Sequence, residues 1–216
     1  MNIHLFDIDY TLVRSSTSYY FLREALSERL ITLWQLRKLP FQWLLYKFAL
    51  IDPNFIEKTV RLLGGISRSD IERLAQNAFD RKIRENLYAQ GQDLIRQIRD
   101  RGERVVFATS SFDVLIRPLQ EFLGVEEAIT SVLEFKNGLT TGLVQGRPAF
   151  GVHKKEAVKD WLEEHGLDPG DAVFYSDSYS DLPVMDFCRR GVAVNPDSGL
   201  KKAALARNWE VVYFHN

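Results

Sequence analysis

Hydrophobic and polar positions change rhythm twice along the chain. Ile3-His4-Leu5-Phe6 is a short apolar run ending in acidic residues, the pattern of a parallel strand buried on both faces. From about Thr17 to Arg84 the rhythm is helical. Leu22, Ala25, Leu26, Leu30 and Leu33 recur at helical spacing, and Ile71, Leu74, Ala75 and Ala78 do so after a cap signal at Ser69. Pro40 and Pro53 separate helices within this block. After Asn86 helices and strands alternate. A helix over 87–101 closes at Gly102, a strand runs over 104–108, and a helix over 112–123 closes at Gly124. Lys136-Asn137-Gly138 signals a hairpin between two β-type runs. Helices are then predicted over 154–165, 180–189 and 199–207, with strands over 172–175, 191–194 and 210–214.

This order predicts an α/β fold: a doubly wound, mostly parallel sheet covered on both faces. One strand precedes the helical block and the others follow it. The block therefore reads as an inserted helical cap, residues 15–87, on a core made of 1–14 and 88–216.

Open parallel sheets bind ligands at the carboxyl ends of their strands. Those ends carry Asp7-Ile8-Asp9-Tyr10-Thr11, Thr109-Ser110-Ser111 and Ser176-Asp177-Ser178-Tyr179-Ser180-Asp181, and Lys154 opens the helix before the last of them. Carboxylates, hydroxyls and one ammonium suit phosphoryl chemistry. Crowded carboxylates need a cation, and oxygen-only ligands favour Mg²⁺ over zinc. A carboxylate can attack phosphorus, and a lysine with hydrogen-bond donors can stabilise the transferring oxygens. Ser178 and Ser180 read as turn residues. His4 reads as a structural histidine and His153 as a solvated one, and no histidine pair has metal-ligand spacing.

FDIDYTL, FATSSF, the lysine of GVHK and YSDSYSDLPVM resemble the four ordered motifs of the haloacid dehalogenase superfamily. Their spacing and the helical insert resemble its phosphoserine-phosphatase-like branch. The resemblance implies a Rossmann-like core with a cap after the first strand. It also implies that Asp7 is the nucleophile, that Asp9 is the acid and then the base, and that Thr109, the Ser110 N–H and Lys154 bind phosphate. Mg²⁺ would be held by Asp7, the Asp9 carbonyl and Asp177, with Asp181 orienting metal-bound water or Lys154. Lys155 is the neighbouring alternative to Lys154. Two positions depart from the pattern. Tyr10 puts a bulky ring where a small residue is common, and Ser16 replaces the glutamate that amino-acid-specific phosphoserine phosphatases use for the substrate ammonium.

Composition narrows the field further. At 216 residues with 45% apolar and 26% charged side chains, the chain can bury a sizeable core. A net charge of −1 gives no basic surplus for nucleic acid. It divides unevenly, because the predicted cap holds 12 basic and 8 acidic residues and the core is correspondingly acidic. The lone Cys188 excludes a disulfide framework and a Cys-rich zinc site, and its neighbours Met185 and Phe187 suggest a packed thiol. The amino terminus lacks a signal-peptide pattern. The most apolar stretch, 31–51, is interrupted by Arg37, Lys38, Pro40 and Lys47, so no transmembrane segment is expected and a cytoplasmic location is. Trp34, Phe41, Trp43, Tyr46 and Phe48 in that stretch have three readings open: cap core, pocket lining or a membrane-facing surface.

The expected function is a Mg²⁺-dependent phosphatase acting on a phosphate monoester of a small metabolite through an aspartyl-phosphate intermediate. Alternatives are a phosphatase for lysophospholipid or phospholipid-derived monoesters and a non-hydrolytic phospho-aspartate signalling or binding protein. A carbon–halogen hydrolase would need neither Asp9 nor Asp177. The expected partner is a small phosphorylated substrate; oligomeric state is not readable from the sequence.

Overall fold

Strand pairing, in the computed structural model, places the strand closest to the amino terminus in the middle of a sheet. The structure describes residues 2–32 and 60–215. The strands are β1 (Ile3–Phe6), β2 (Arg104–Phe112), β3 (Glu127–Lys136), β4 (Leu139–Gln145), β5 (Ala172–Ser176), β6 (Arg190–Val194) and β7 (Glu210–Val212). They form one sheet among the described residues, ordered β4-β3-β2-β1-β5-β6-β7. All neighbours run parallel except β3 and β4. That pair is the predicted hairpin: Asn137 and Gly138 have φ of 52° and 77°, as a tight two-residue turn between twisted strands requires.

The helices are α1 (Thr17–Ser27), α2 (Arg68–Ala78), α3 (Ala89–Asp100), α4 (Asp113–Leu123), α5 (Val152–Glu164), α6 (Leu182–Met185) and α7 (Ser198–Ala206). β1 is buried along its whole length because it has a helical layer on each side. Phe6 joins Ile95, Ile98, Ile116 and Leu119 of α3 and α4 in one core. Ile3 and Leu5 join Val158, Leu162, Val184, Met185 and Leu200 of α5, α6 and α7 in the other. Cys188 lies buried in this second core, where its thiol is pushed up to about 12. The expected packed thiol is what the structure contains. Gly191 on β6 is a close-approach position: a Cβ there would meet Met185 at 2.7 Å and Trp209 at 2.8 Å.

Between β1 and β2 the described residues are helical. The chain leaves and returns at one place: Val13 bridges Leu87, the Arg14 N–H donates to the Asn86 carbonyl (2.9 Å), and the Tyr88 N–H donates to the Leu12 carbonyl (3.0 Å). The return leg is a π-turn over Phe79–Ile83 followed by a 3-10 turn over Arg84–Asn86. The insert shares a third core with the rest of the molecule, in which Phe21, Ala25, Ile71 and Leu74 pack with Phe112, Leu115 and Leu133. Its 65–68 segment is also stitched to the hairpin by Gly65 N to Thr140 O (2.7 Å) and Arg68 N to Gly138 O (2.9 Å).

Several expected boundaries shift. α1 stops at Ser27 rather than continuing through Leu30, because Arg29 turns left-handed with φ of 58°. The cap of α2 is Ser67, which accepts from the Asp70 N–H, and not Ser69. The helix expected over 180–189 shrinks to α6, with a 3-10 turn at Tyr179–Asp181 before it. β2 runs four residues beyond Ala108, and β7 ends at Val212. The aromatic residues 34–48 lie outside the described residues. Among the described residues no helix is long and apolar enough to cross a membrane.

Candidate active site

β1 ends by pointing an acid out of a fully buried strand. The Asp7 N–H still donates to the Tyr175 carbonyl (2.9 Å), so its side chain leaves the sheet where regular pairing with β5 stops. The chain then turns sharply, with the Ile8 carbonyl accepting from Thr11, Leu12 and Val13. This turn carries Asp9 and Tyr10 over the sheet edge and brings Thr11 against the end of β5. There Thr11 Oγ1 accepts from the Asp177 N–H (3.0 Å) and donates to Asp177 Oδ1 (3.3 Å).

Lys154 sits at the start of α5, buried, between two buried acids. Its Nζ donates to Asp7 Oδ1 at 3.0 Å and to Asp181 Oδ2 at 2.9 Å. Asp181 Oδ1 is 2.8 Å from the same ammonium but takes no directed hydrogen bond. Ser176 Oγ donates to Asp181 Oδ2 at 2.7 Å and accepts from the Ser178 N–H. Asp181 is therefore engaged by Lys154 and Ser176 and does not cap α6 with its side chain. Lys155 lies over the Phe187 ring, which makes Lys154 the lysine of this cluster.

The electrostatics follow from too many acids in a dry place. Burial pushes Asp7 up to about 7, against the pull of Lys154 and with the push of Asp181 and Asp9. Burial also raises Asp177 well above the carboxylate range, and the charges of Asp7 and Asp181 add to that. Burial alone would depress Lys154, but Asp181 and Asp7 hold its ammonium above the usual lysine value. Asp9 is raised by its packed surroundings while four donors draw it back: the Thr17 N–H (2.9 Å), Thr17 Oγ1 (2.8 Å), Ser16 Oγ (3.0 Å) and Ser111 Oγ (3.3 Å). Asp9 thereby caps α1, whose own N-cap residue Ser16 makes no side-chain cap.

The third strand end is β2. Thr109 is fully buried and its Oγ1 accepts from the Ser111 N–H at 3.2 Å. The Ser110 carbonyl accepts from Ser131 Oγ at 3.0 Å, and the same Oγ accepts from the Ala149 N–H at 3.1 Å. Ser131 thus ties the end of β2 to the loop that leads into Lys154.

All seven expected site residues lie at strand ends or in the elements that follow them, and direct hydrogen bonds join Lys154 to Asp7 and Asp181. Sequence reading missed Thr17 and Ser131, and gave Ser111 and Ser176 a place in the strand-end motifs but no role. Ser111 carried a usable signal, since it follows Thr109 by two on one strand and shares its face. Ser131 carried none, because its partners are main-chain groups from two distant loops. His4 and His153 are not part of the site. His4 pairs with Tyr175 and Glu103, and His153 pairs with Glu156.

A family model described as haloacid dehalogenase-like hydrolase matches residues 4–186. The chain is 28% identical to a phosphoserine phosphatase of Mycobacterium tuberculosis (strain ATCC 25618 / H37Rv) over 213 residues, covering 95% of this chain and 68% of that protein. It is 26% identical to a histidinol-phosphatase of Neisseria meningitidis serogroup C over 222 residues, covering 99% of each. Among solved structures, a protein of unknown function from Bordetella pertussis Tohama I aligns with a TM-score of 0.87 at 27% identity, covering 97% of each chain.

Proposed function

The chain belongs to the haloacid dehalogenase-like hydrolases and is a phosphatase of that family, and we propose that it hydrolyses a phosphate monoester of a small metabolite by way of a phosphorylated Asp7. The observation that carries this reading is the buried Asp7–Lys154–Asp181 cluster at the strand ends, with Asp9 two residues beyond Asp7.

An Asp7 carboxylate oxygen attacks phosphorus, the bond to the leaving oxygen breaks, and Asp9 gives that oxygen its proton. Asp9, then a carboxylate, takes a proton from water as the water oxygen bonds to phosphorus and the Asp7–phosphorus bond breaks. Lys154 balances charge on the phosphoryl oxygens, and Asp181 keeps its ammonium aimed at Asp7. The Thr109 hydroxyl and the Ser110 N–H hold the remaining oxygens. Four donors around Asp9 keep its carboxylate fixed at the start of α1.

The donor set fits Mg²⁺. The charge of Asp7 raises the Asp177 pKa, a repulsion that a divalent cation relieves, and Mg²⁺ is commonly held by one or two carboxylates with substrate phosphate and water completing the set. Asp7, the Asp9 carbonyl and Asp177 would hold it, and the ion would supply neutralising charge to the phosphate. Residues 15–87 serve as the cap, a reading supported among the described residues by the exit and return of the chain side by side at 12–14 and 86–88.

Asp7→Asn is expected to abolish hydrolysis of an aryl phosphate, and EDTA to suppress the wild-type rate with recovery on adding Mg²⁺. Full turnover by Asp7→Asn would remove Asp7 from the nucleophile role. A phosphorylated state that persists for hours would favour a signalling protein instead.

A further inference from the structure

Residue 10 is a tyrosine on a backbone that suits glycine. Its φ is 61°, in the left-handed region where a Cβ crowds the neighbouring carbonyl. For a bulky side chain this is a strained position, and such positions concentrate at ligand clamps. The turn itself is required, because it returns Thr11 to Asp177. Glycine would make that turn without strain, so the ring needs a separate reason.

The surroundings of the ring supply one. Tyr10 is 37% exposed, its hydroxyl lies within reach of Ser15, and it stands in the field of both Asp9 and Asp177. Two other half-exposed tyrosines flank the site: Tyr19, two residues past Thr17, and Tyr179, two residues past Asp177. Both are already engaged. The Arg23 guanidinium lies 5.8 Å over the Tyr19 ring, and Tyr179 packs on Gly199, where a Cβ would come within 3.1 Å of it. Among the described residues, Tyr10 has neither a ring nor a cation stacked on it. It is an exposed aromatic surface one residue past Asp9, the acid assigned to protonate the leaving oxygen.

We propose that the Tyr10 ring is the wall against which the leaving group rests, and that it favours phosphate monoesters of alcohols bearing a flat ring over those of short aliphatic alcohols. This rests on the phosphatase reading of the same site. Offset stacking of two rings accounts for a preference of about three- to tenfold per contact. The preference belongs in KM, since the ring touches the leaving group before and during transfer alike.

The test compares benzyl phosphate, propyl phosphate and ethanolamine phosphate as substrates for the wild type, Tyr10→Phe, Tyr10→Leu and Tyr10→Gly, with Mg²⁺ present. The wild type is expected to favour the benzyl ester over the propyl ester. Tyr10→Leu and Tyr10→Gly are expected to lose that preference through a raised KM for the benzyl ester alone, and Tyr10→Phe to retain it. Glycine suits this backbone, so Tyr10→Gly keeps or raises the Tm, which separates loss of the ring from loss of the fold. An unchanged benzyl-to-propyl ratio in both Tyr10→Leu and Tyr10→Gly overturns the proposal. A loss confined to ethanolamine phosphate overturns it too, since the ring would then be reading charge. Hydrolysis of none of the three esters by the wild type overturns the phosphatase reading along with it.

Discussion

Thr17 shows how much a single hydroxyl can carry. Its Oγ1 donates to Asp9 and lies 2.8 Å from Ser111 Oγ, which itself reaches Asp9. Thr17→Val keeps the shape and removes this junction. The kcat on an aryl phosphate is expected to fall about tenfold or more with KM within about twofold, because a positioned acid–base group is worth roughly a hundredfold or more and only its support is lost. His4 makes a different prediction, on stability. Nε2 lies 2.7 Å from Glu103, and Nδ1 lies 3.0 Å from the Tyr175 hydroxyl, an arrangement that suits the neutral ring. Burial lowers its pKa, against the opposing pull of Glu103 and helped by Arg101 and Arg190. The stability it contributes is therefore complete above its ordinary value, near 6.5, and is lost as pH falls through its lower folded value. The Tm of the wild type should drop more between about pH 7.5 and about pH 5 than that of His4→Gln, as calorimetry can show.

At the scale of elements, periodicity made some parts of the fold plain and left others hidden. β1, β5 and the hairpin were legible because their signals are local: apolar runs with acidic ends and an Asn-Gly turn. α6 was not legible in its true length. The apolar spacing through Met185 and Phe187 reads as a longer helix, but the Tyr179–Asp181 3-10 turn and the Lys154–Asp181 ion pair shorten it at the front, and the chain turns after Met185 to enter β6. Neither the turn nor the pair shows in local pattern. The acids and the lysine of the site stood out by residue type at strand ends, whereas Ser131 depends on tertiary partners alone. Ser131→Ala leaves the Ser110 carbonyl and the Ala149 N–H without their partner, which should cost about 1–3 kcal/mol in urea unfolding. Because both groups belong to the loops proposed to face the phosphate, KM should rise more than kcat falls.

Across the whole molecule, the near-neutral net charge of −1 conceals a concentrated acidic centre, with Asp7, Asp177 and Asp181 near one ammonium and Asp9 in the field of Asp7. A divalent ion that binds only the folded chain should stabilise it. With Mg²⁺ at about a hundredfold over its Kd, Tm should rise by roughly 5 °C. Asp177→Asn should erase that rise, and without added metal it should melt at or above the wild type because one repelling charge is gone. Scanning calorimetry with and without Mg²⁺ checks both; an equal rise in the variant would remove Asp177 from the metal site. The central place of β1 has a further consequence, for how the molecule is assembled. Its partners β2 and β5 pair Ile3 with Arg104 and Ala172, about 100 and about 170 residues further along, so each pairing closes a very long loop. Helices of local origin can collect early, but the strand that leads into Asp7 waits until most of the chain has found its place. Partly folded forms of this protein should be helical, compact and inert, and recovered catalysis during refolding should mark the final ordering step.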